Sequence, residues 1–317
     1  MRCFIFRVKN SVFKLLEFKV LMVLIAMLCF NFLESQNQQL ELKISNDKIV
    51  FLDRYYTNGI HLTYRRKIEK ALVFSKRDNN ELLLNVTFGN ETYTPKNLTS
   101  FNNRDFDRPY AGWLFFNFEI GRIKHKSALF IALESGITGE ESLAGKLQTR
   151  FHELLRIESM PTWADEIAFN WLFNLKLNQI QEFKINKSSS LQNRIGASLG
   201  SKDTFIKNEV YYFIGKFNDF KNSSRINQIT SKTSNEFYGF ASVGYKYVLL
   251  NSLIQGSPFS NNDPFTTLAT SHILNFKSGI VLKFKKNIFA FNYNYNTKET
   301  PLSVSHSYGS LTYAFSF

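Results

Sequence analysis

Five histidines hold most of this chain's capacity for acid–base chemistry: His61, His125, His152, His272 and His306. An imidazole near its ordinary pKa of ~6.5 can take a proton from water at neutral pH, so each is a candidate general base. His152 is followed by Glu153, but Arg156 stands where a helical zinc-protease motif places its second histidine. Both cysteines, Cys3 and Cys29, fall in the first 35 residues, which leaves the rest of the chain without disulfides or thiolate metal sites. The remaining chemical groups are dispersed. Asn46 and Asp47 come first, followed by Asp53, Arg54, Tyr56, Thr57, Asn58 and Gly59. Asp107-Arg108-Pro109-Tyr110-Ala111-Gly112-Trp113 comes next, and then Gln148, His152, Glu158 and Trp163. Groups so far apart make a site only if a scaffold gathers their segments.

The scaffold is legible in the hydrophobic pattern. At the C-terminus Leu311, Tyr313, Phe315 and Phe317 alternate with Ser310, Thr312, Ala314 and Ser316. Period-two alternation of this kind describes a wall between lipid and an aqueous lumen. Ile60, Leu62 and Tyr64 repeat the pattern against His61, Thr63 and Arg65, as do Leu114, Phe116, Phe118 and Ile120 against Asn117, Glu119 and Gly121. The spacing predicts strands near 39–47, 57–66, 82–93, 112–122, 127–137, 166–184, 191–200, 207–217, 236–249, 271–285, 287–297 and 306–317. About twelve strands, an even number, predict an all-β fold, a transmembrane antiparallel β-barrel. Short turns then belong at one end. The connections after the first, third and fifth strands, which hold the candidate residues, belong together at the other, outward-facing end. The polar 218–234 segment falls at the short-turn end despite its length. Between Glu140 and Ile157, Leu143, Leu147, Phe151 and Leu154 recur at helical spacing, with Gln148 and His152 on an adjacent face. A short surface helix is expected there.

Residues 1–35 read as a signal peptide. Scattered charge (Arg2, Arg7, Lys9, Lys14, Lys19) precedes an apolar run from Val20 to Phe30, and a polar exit begins at Glu34. Residues 36–317 are then one outer-membrane barrel domain. The whole chain has 39 Lys/Arg against 26 Asp/Glu, a net +13. A basic surface suits an anionic partner, and export favours phosphorylated lipid over nucleic acid. Arg54 and Arg108 are candidates to meet sugar phosphates. By alternation from Leu40, Leu42 and Ile44, Asp47 is expected inward with Ser45, and Thr57 inward with His61.

The order Asn-Asp, Asp-Arg-x-Tyr-Thr-Asn-Gly, Asp-Arg-Pro-Tyr-Ala-Gly-Trp and Gln-x-x-x-His resembles the outer-membrane lipid A 3′-O-deacylase family over about residues 40–170. That resemblance implies a calcium-dependent esterase that removes the 3′-linked acyl (acyloxyacyl) group of lipid A in lipopolysaccharide. It implies a monomer in the bacterial outer membrane, among outer-membrane lipid, with its site facing the extracellular leaflet. It carries His152, Gln148, Thr57 and Asn46 over as catalytic residues, Asp47 with Asn46 as the Ca2+ region, and Glu158 as a substrate-side acid. The sequence departs from the family pattern twice. Gly139-Glu140-Glu141 lacks a proline, and Arg156 replaces a glycine four residues after the histidine. Two other readings use the same features: a non-enzymatic barrel that binds lipopolysaccharide or passes solutes, and an outer-membrane phospholipase.

Overall fold

The computed structural model describes residues 37–74, 80–157, 160–229 and 235–317. The expected signal peptide at 1–35 lies outside the described residues, as does Glu158. The barrel contains twelve strands: β1 (Gln38–Asn46), β2 (Tyr55–Ile68), β3 (Glu81–Thr94), β4 (Ala111–Ile123), β5 (Ser127–Ile137), β6 (Trp171–Lys184), β7 (Ser189–Gly200), β8 (Asp203–Lys216), β9 (Glu236–Asn251), β10 (His272–Phe284), β11 (Asn287–Asn296) and β12 (His306–Ser316). Each pairs antiparallel with its sequence neighbour, and β1 closes the cylinder on β12 from Gln39↔Ser316 to Asn46↔Gly309. All twelve expected strands are present. The sixth starts at Trp171 rather than 166, because the backbone of 167 and 168 is bonded to loops instead: Ile167 N–H donates to Tyr110 O and Ala168 N–H to Asp263 Oδ1.

The two faces of the wall follow from side-chain alternation. Outward-facing Leu62, Phe116, Phe118, Phe173 and Leu282 are exposed, an arrangement that suits acyl chains and not water. Inward-facing residues pair with one another across strands. Arg65 bonds Glu41 at 2.8 Å, Asn85 bonds Glu119 at 2.7 Å, and Glu209 receives both Lys207 and Lys277. No helix among the described residues is long and apolar enough to cross a membrane. The membrane is crossed by strands.

The long connection after β8 is not a free inner loop. Its residues 217–229 fold back into the barrel mouth, where Phe220, Ile226 and Ile229 pack on inward-facing Leu83, Ile123, Ala128, Phe130 and Ile180. Arg225 is held inside by Glu182, Ser190 Oγ, Ser223 Oγ and the Asn218 carbonyl, with its guanidinium 3.9 Å from the Phe217 ring centre. Glu236 accepts from Ser223 Oγ and from the N–H groups of Asn218 and Ser224. The polarity of the segment reflects this internal bonding. Above it the lumen keeps cavities of about 270 and 310 Å³.

Arg225→Ala should strand the Glu182 carboxylate without its counter-charge. Breaking a buried pair costs about 3–5 kcal/mol, so denaturant unfolding and the heat-dependent shift in gel mobility should both move to milder conditions. Unchanged transitions would show that the plug does not stabilise the barrel.

Candidate active site

On the outer face of β1 to β4 the apolar band ends short of the loop-bearing rim. Beyond Ile44, Ile60, Phe88 and Leu114, the next outward positions are Asn46, Asn58, Asn90, Thr92, Thr94 and Gly112. Polar groups there would face neither lumen nor water, yet Asn46, Asn90, Thr92 and Thr94 are buried. The chain after β5 covers the part of this patch that lies on β3 and β4. It turns at Gly139 (φ +79°) and runs through a 3-10 turn, Glu140–Ser142. It then forms α1 (Ala144–Leu155), which lies against β3 and β4. The Ser142 carbonyl accepts from Asn90 Nδ2 at 2.7 Å. Gly112 permits this approach, since a Cβ there would collide with Ser142 Oγ and Ala144 Cβ.

The buried face of α1 is Ala144, Gln148 and His152, four residues apart each time. The expected helix is therefore present, with the two candidate side chains turned to the barrel wall. Arg156, at the position of the departure from the family pattern, ends the helix in the left-handed region (φ 54°), and its N–H bonds the carbonyls of Glu153 and His152.

The β1–β2 connection faces this helix. Asn46 Oδ1 accepts from Lys48 N–H at 2.7 Å and caps the 3-10 turn Asp47–Val50. Asp47 Oδ2 accepts from Arg54 N–H at 2.6 Å, while its Oδ1 is buried without a hydrogen-bond partner. Burial pushes the Asp47 carboxyl up to about 8, and the nearby Asp53 charge adds to this against the Arg54 N–H. Asp53 Oδ2 lies 2.8 Å from Lys48 Nζ, and its Oδ1 lies 4.0 Å from His152 Nε2. That last distance is a charge contact, not a hydrogen bond. The loop thus brings the Asn46-Asp47 hairpin and the imidazole at 152 to one place.

Two expectations of side-chain direction are corrected. Asp47 opens a 3-10 turn past the end of β1, so strand alternation does not set its direction. Thr57 sits at a β-bulge between Tyr56 and Asn58, which adds a residue to β2 and reverses the alternation beyond it. Its Oγ1 meets Thr94 Oγ1 of the outward face at 2.8 Å, not the lumen. Arg54 supplies its backbone N–H to Asp47, and its Nε is buried without a partner. Arg108 is buried within the loops, with Nη1 3.0 Å from Glu299 and the guanidinium 4.7 Å from the Tyr93 ring centre. Its position is that of a brace between the 95–110 and 297–305 connections.

Two residues gain a role that the sequence did not indicate. Asp53 belongs to the Asp-Arg-x-Tyr-Thr-Asn-Gly segment, and only the fold of the loop reveals that it faces His152. Trp163 donates Nε1–H to Gln148 Oε1 at 3.0 Å. An indole can only donate, so the amide must present Nε2 on its other side, where it is buried and unpartnered. Trp163 has φ 52° and is gripped by Tyr110, with ring centres 5.1 Å apart, and by Gly145, where a Cβ would lie 2.9 Å from the indole. The sequence contains a Gly-x-Ser-x-Gly match, Gly196 to Gly200, but no nucleophile elbow. The match lies inside β7 rather than at a strand-to-helix turn, and Ser198 Oγ donates to the Asp203 carbonyl.

The donor set fits a hard, oxygen-seeking cation. Asp47 Oδ1 and Asp53 Oδ1 are buried carboxylate oxygens without hydrogen-bond partners, and carboxylates with water are ordinary ligands for such ions. Among the described residues no group of three or more His, Cys, Asp or Glu side chains could hold a metal, and the pair above is short of such a group.

A family model described as outer membrane protein LpxR matches residues 18–317. Among solved structures, LpxR from Salmonella typhimurium aligns with a TM-score of 0.72 at 19% identity, over 88% of this chain and 100% of that one. The β-domain of the Bordetella autotransporter BrkA aligns with a TM-score of 0.44 at 10% identity, over 88% of this chain and 98% of that one. No curated protein sequence matches the chain. The family match runs through every strand of the closed barrel and through the helix that covers its outer wall, and on it this chain belongs to the outer membrane protein LpxR family, consistent with a part in lipid A modification.

Proposed function

We propose that this protein is a calcium-dependent carboxylic ester hydrolase that removes the 3′-linked acyl group from lipid A, from a site facing the extracellular leaflet. One observation carries the reading. His152 and Gln148 project from a covering helix onto the outer wall of the barrel, beside Asp47 and Asp53, at the level where the lipid-facing band ends. A site between wall and helix is reached from the membrane rather than through the lumen.

In this reading the His152 imidazole takes a proton from water as the water oxygen attacks the acyl carbonyl, and the imidazolium returns that proton to the sugar 3′ oxygen as the ester C–O bond breaks and the fatty acid leaves. The Asp53 carboxylate, 4.0 Å from Nε2, stabilises the imidazolium that forms. Gln148 Nε2 donates to the water or the carbonyl oxygen, and Trp163 holds the amide in that orientation. Asn46 and Thr57 fix the hairpin and the bulge that set the positions of Asp47 and Asp53. Asp47, with Asn46 beside it, would hold Ca2+, which when bound supplies charge to stabilise an oxyanion, and Asp53 is left to His152. Arg54 and the basic rim suit the phosphates of lipopolysaccharide. The solute-passing alternative gains no support from a barrel mouth filled by 217–229.

Three outcomes test this. Lipid A from cells expressing the protein should lose the mass of the 3′ acyloxyacyl group, and His152→Ala should abolish that loss while the barrel still assembles; identical lipid A from both would end the assignment. With purified protein, a chelator should stop fatty-acid release and added Ca2+ restore it. Release from phospholipid in preference to lipid A would make the enzyme a phospholipase. Trp163→Phe keeps an aromatic ring but removes the N–H, a hydrogen bond of about 1 kcal/mol, so kcat should fall several-fold with little change in KM. An unaltered kcat would show that Gln148 needs no such anchor.

A further inference from the structure

The face of α1 that sequence periodicity marks as apolar is not the face that packs on the barrel. Leu143, just before the helix, is 45% exposed, and Leu147 and Leu154 are 41% and 72% exposed. An α-helix turns about 100° per residue, which divides α1 into three sectors. One bears Ala144, Gln148 and His152 and faces the wall. A second bears Lys146, Arg150 and Glu153, and it borders the cavity formed with the 161–166 segment, where Trp163 meets Gly145. The third, the leucine ridge, lies on the side of the helix away from that segment.

We infer that α1 is an in-plane membrane helix whose leucine ridge rests on the acyl chains of the outer leaflet. The occupant follows from continuity with the lipid-facing wall. Ser142 is bonded to Asn90 and Ala144 packs on Gly112. On the same outward faces Phe88 lies two residues from Asn90 along β3, and Phe116 four from Gly112 along β4. Those two rings pack with centres 4.9 Å apart and remain exposed. The ridge extends this apolar surface across the helix that roofs the site. A soluble helix would turn such a stripe to the protein interior. Here the interior side is polar, so only a nonaqueous neighbour makes the ridge favourable. The inference rests on the membrane barrel and is independent of the esterase reading.

The test uses single cysteines carrying an environment-sensitive fluorophore, in the full chain with Cys3→Ser and Cys29→Ser. Leu147→Cys and Leu154→Cys report the ridge, and Lys146→Cys and Glu153→Cys report the polar sector about 100° around the helix. Each is reconstituted in phosphatidylcholine–phosphatidylglycerol vesicles, with heat-dependent gel mobility confirming a folded barrel. Labels at 147 and 154 should emit at shorter wavelength, be quenched by nitroxide on lipid acyl chains and resist aqueous iodide. Labels at 146 and 153 should show the reverse. Equal quenching at all four positions, or iodide access greatest at the ridge, overturns the inference. Because no substrate is involved, the result stands whether or not lipid A is cleaved.

Discussion

A strand in a closed barrel has only two faces, and a polar side chain on the outer one has no partner unless something covers it. Asn90 is in that position at the rim, whereas Asn46 and Thr94 bond within the β1–β3 region, to Lys48 N–H and Thr57 Oγ1. A buried polar group without a hydrogen bond costs roughly 1–3 kcal/mol, so Asn90 calls for a partner above the wall. The 139–157 segment supplies it, giving the Ser142 carbonyl to Asn90 and seating Ala144 on Gly112. The fold of the rest of the rim follows. Once α1 crosses the wall there, its buried face must be polar, and that face presents Gln148 and His152.

Burial also governs the electrostatics. Asp47 lies in the 3-10 turn against β12 and β2, and desolvation there is the main reason that its carboxyl rises to about 8. Asp53 sharpens the imbalance, because Lys48 compensates one of its oxygens and the other faces His152.

What the sequence disclosed divides along physical lines. Alternation depends on neighbours along one strand, so all twelve strands, the closing one included, could be read directly. Helical spacing likewise revealed α1. Quantities set by residues far apart in sequence could not be read. One inserted residue at Thr57 reverses the direction assigned from His61, and no local pattern marks the bulge. The packing of Phe220 and Ile226 on Leu83 and Phe130 is invisible in a segment that is polar on average. Periodicity located the leucines of α1 but not their surroundings, because the rule that apolar stripes face inward presumes water outside.

Backbone strain marks where the rigid wall imposes its geometry on the loops. Among the described residues eight non-glycine positions have positive φ, and Phe51, Tyr55, Leu143, Arg156, Trp163 and Asp165 belong to the segments that frame the site. Such residues each cost about 1–3 kcal/mol and persist where surrounding contacts over-determine them. Arg156 shows the consequence. The related pattern has glycine there, free to adopt a left-handed conformation. Arginine adopts it too, at φ 54°, because its N–H must meet the carbonyls of Glu153 and His152 to finish the helix. Leu143 does the same at the other end, at φ 63°, where the chain rises from the 3-10 turn. The helix therefore begins and ends on strained residues rather than on favourable terminal ones. The departure from the pattern at position 156 lies past the last helical residue and leaves in place the Trp163–Gln148 bond and the His152–Asp53 contact.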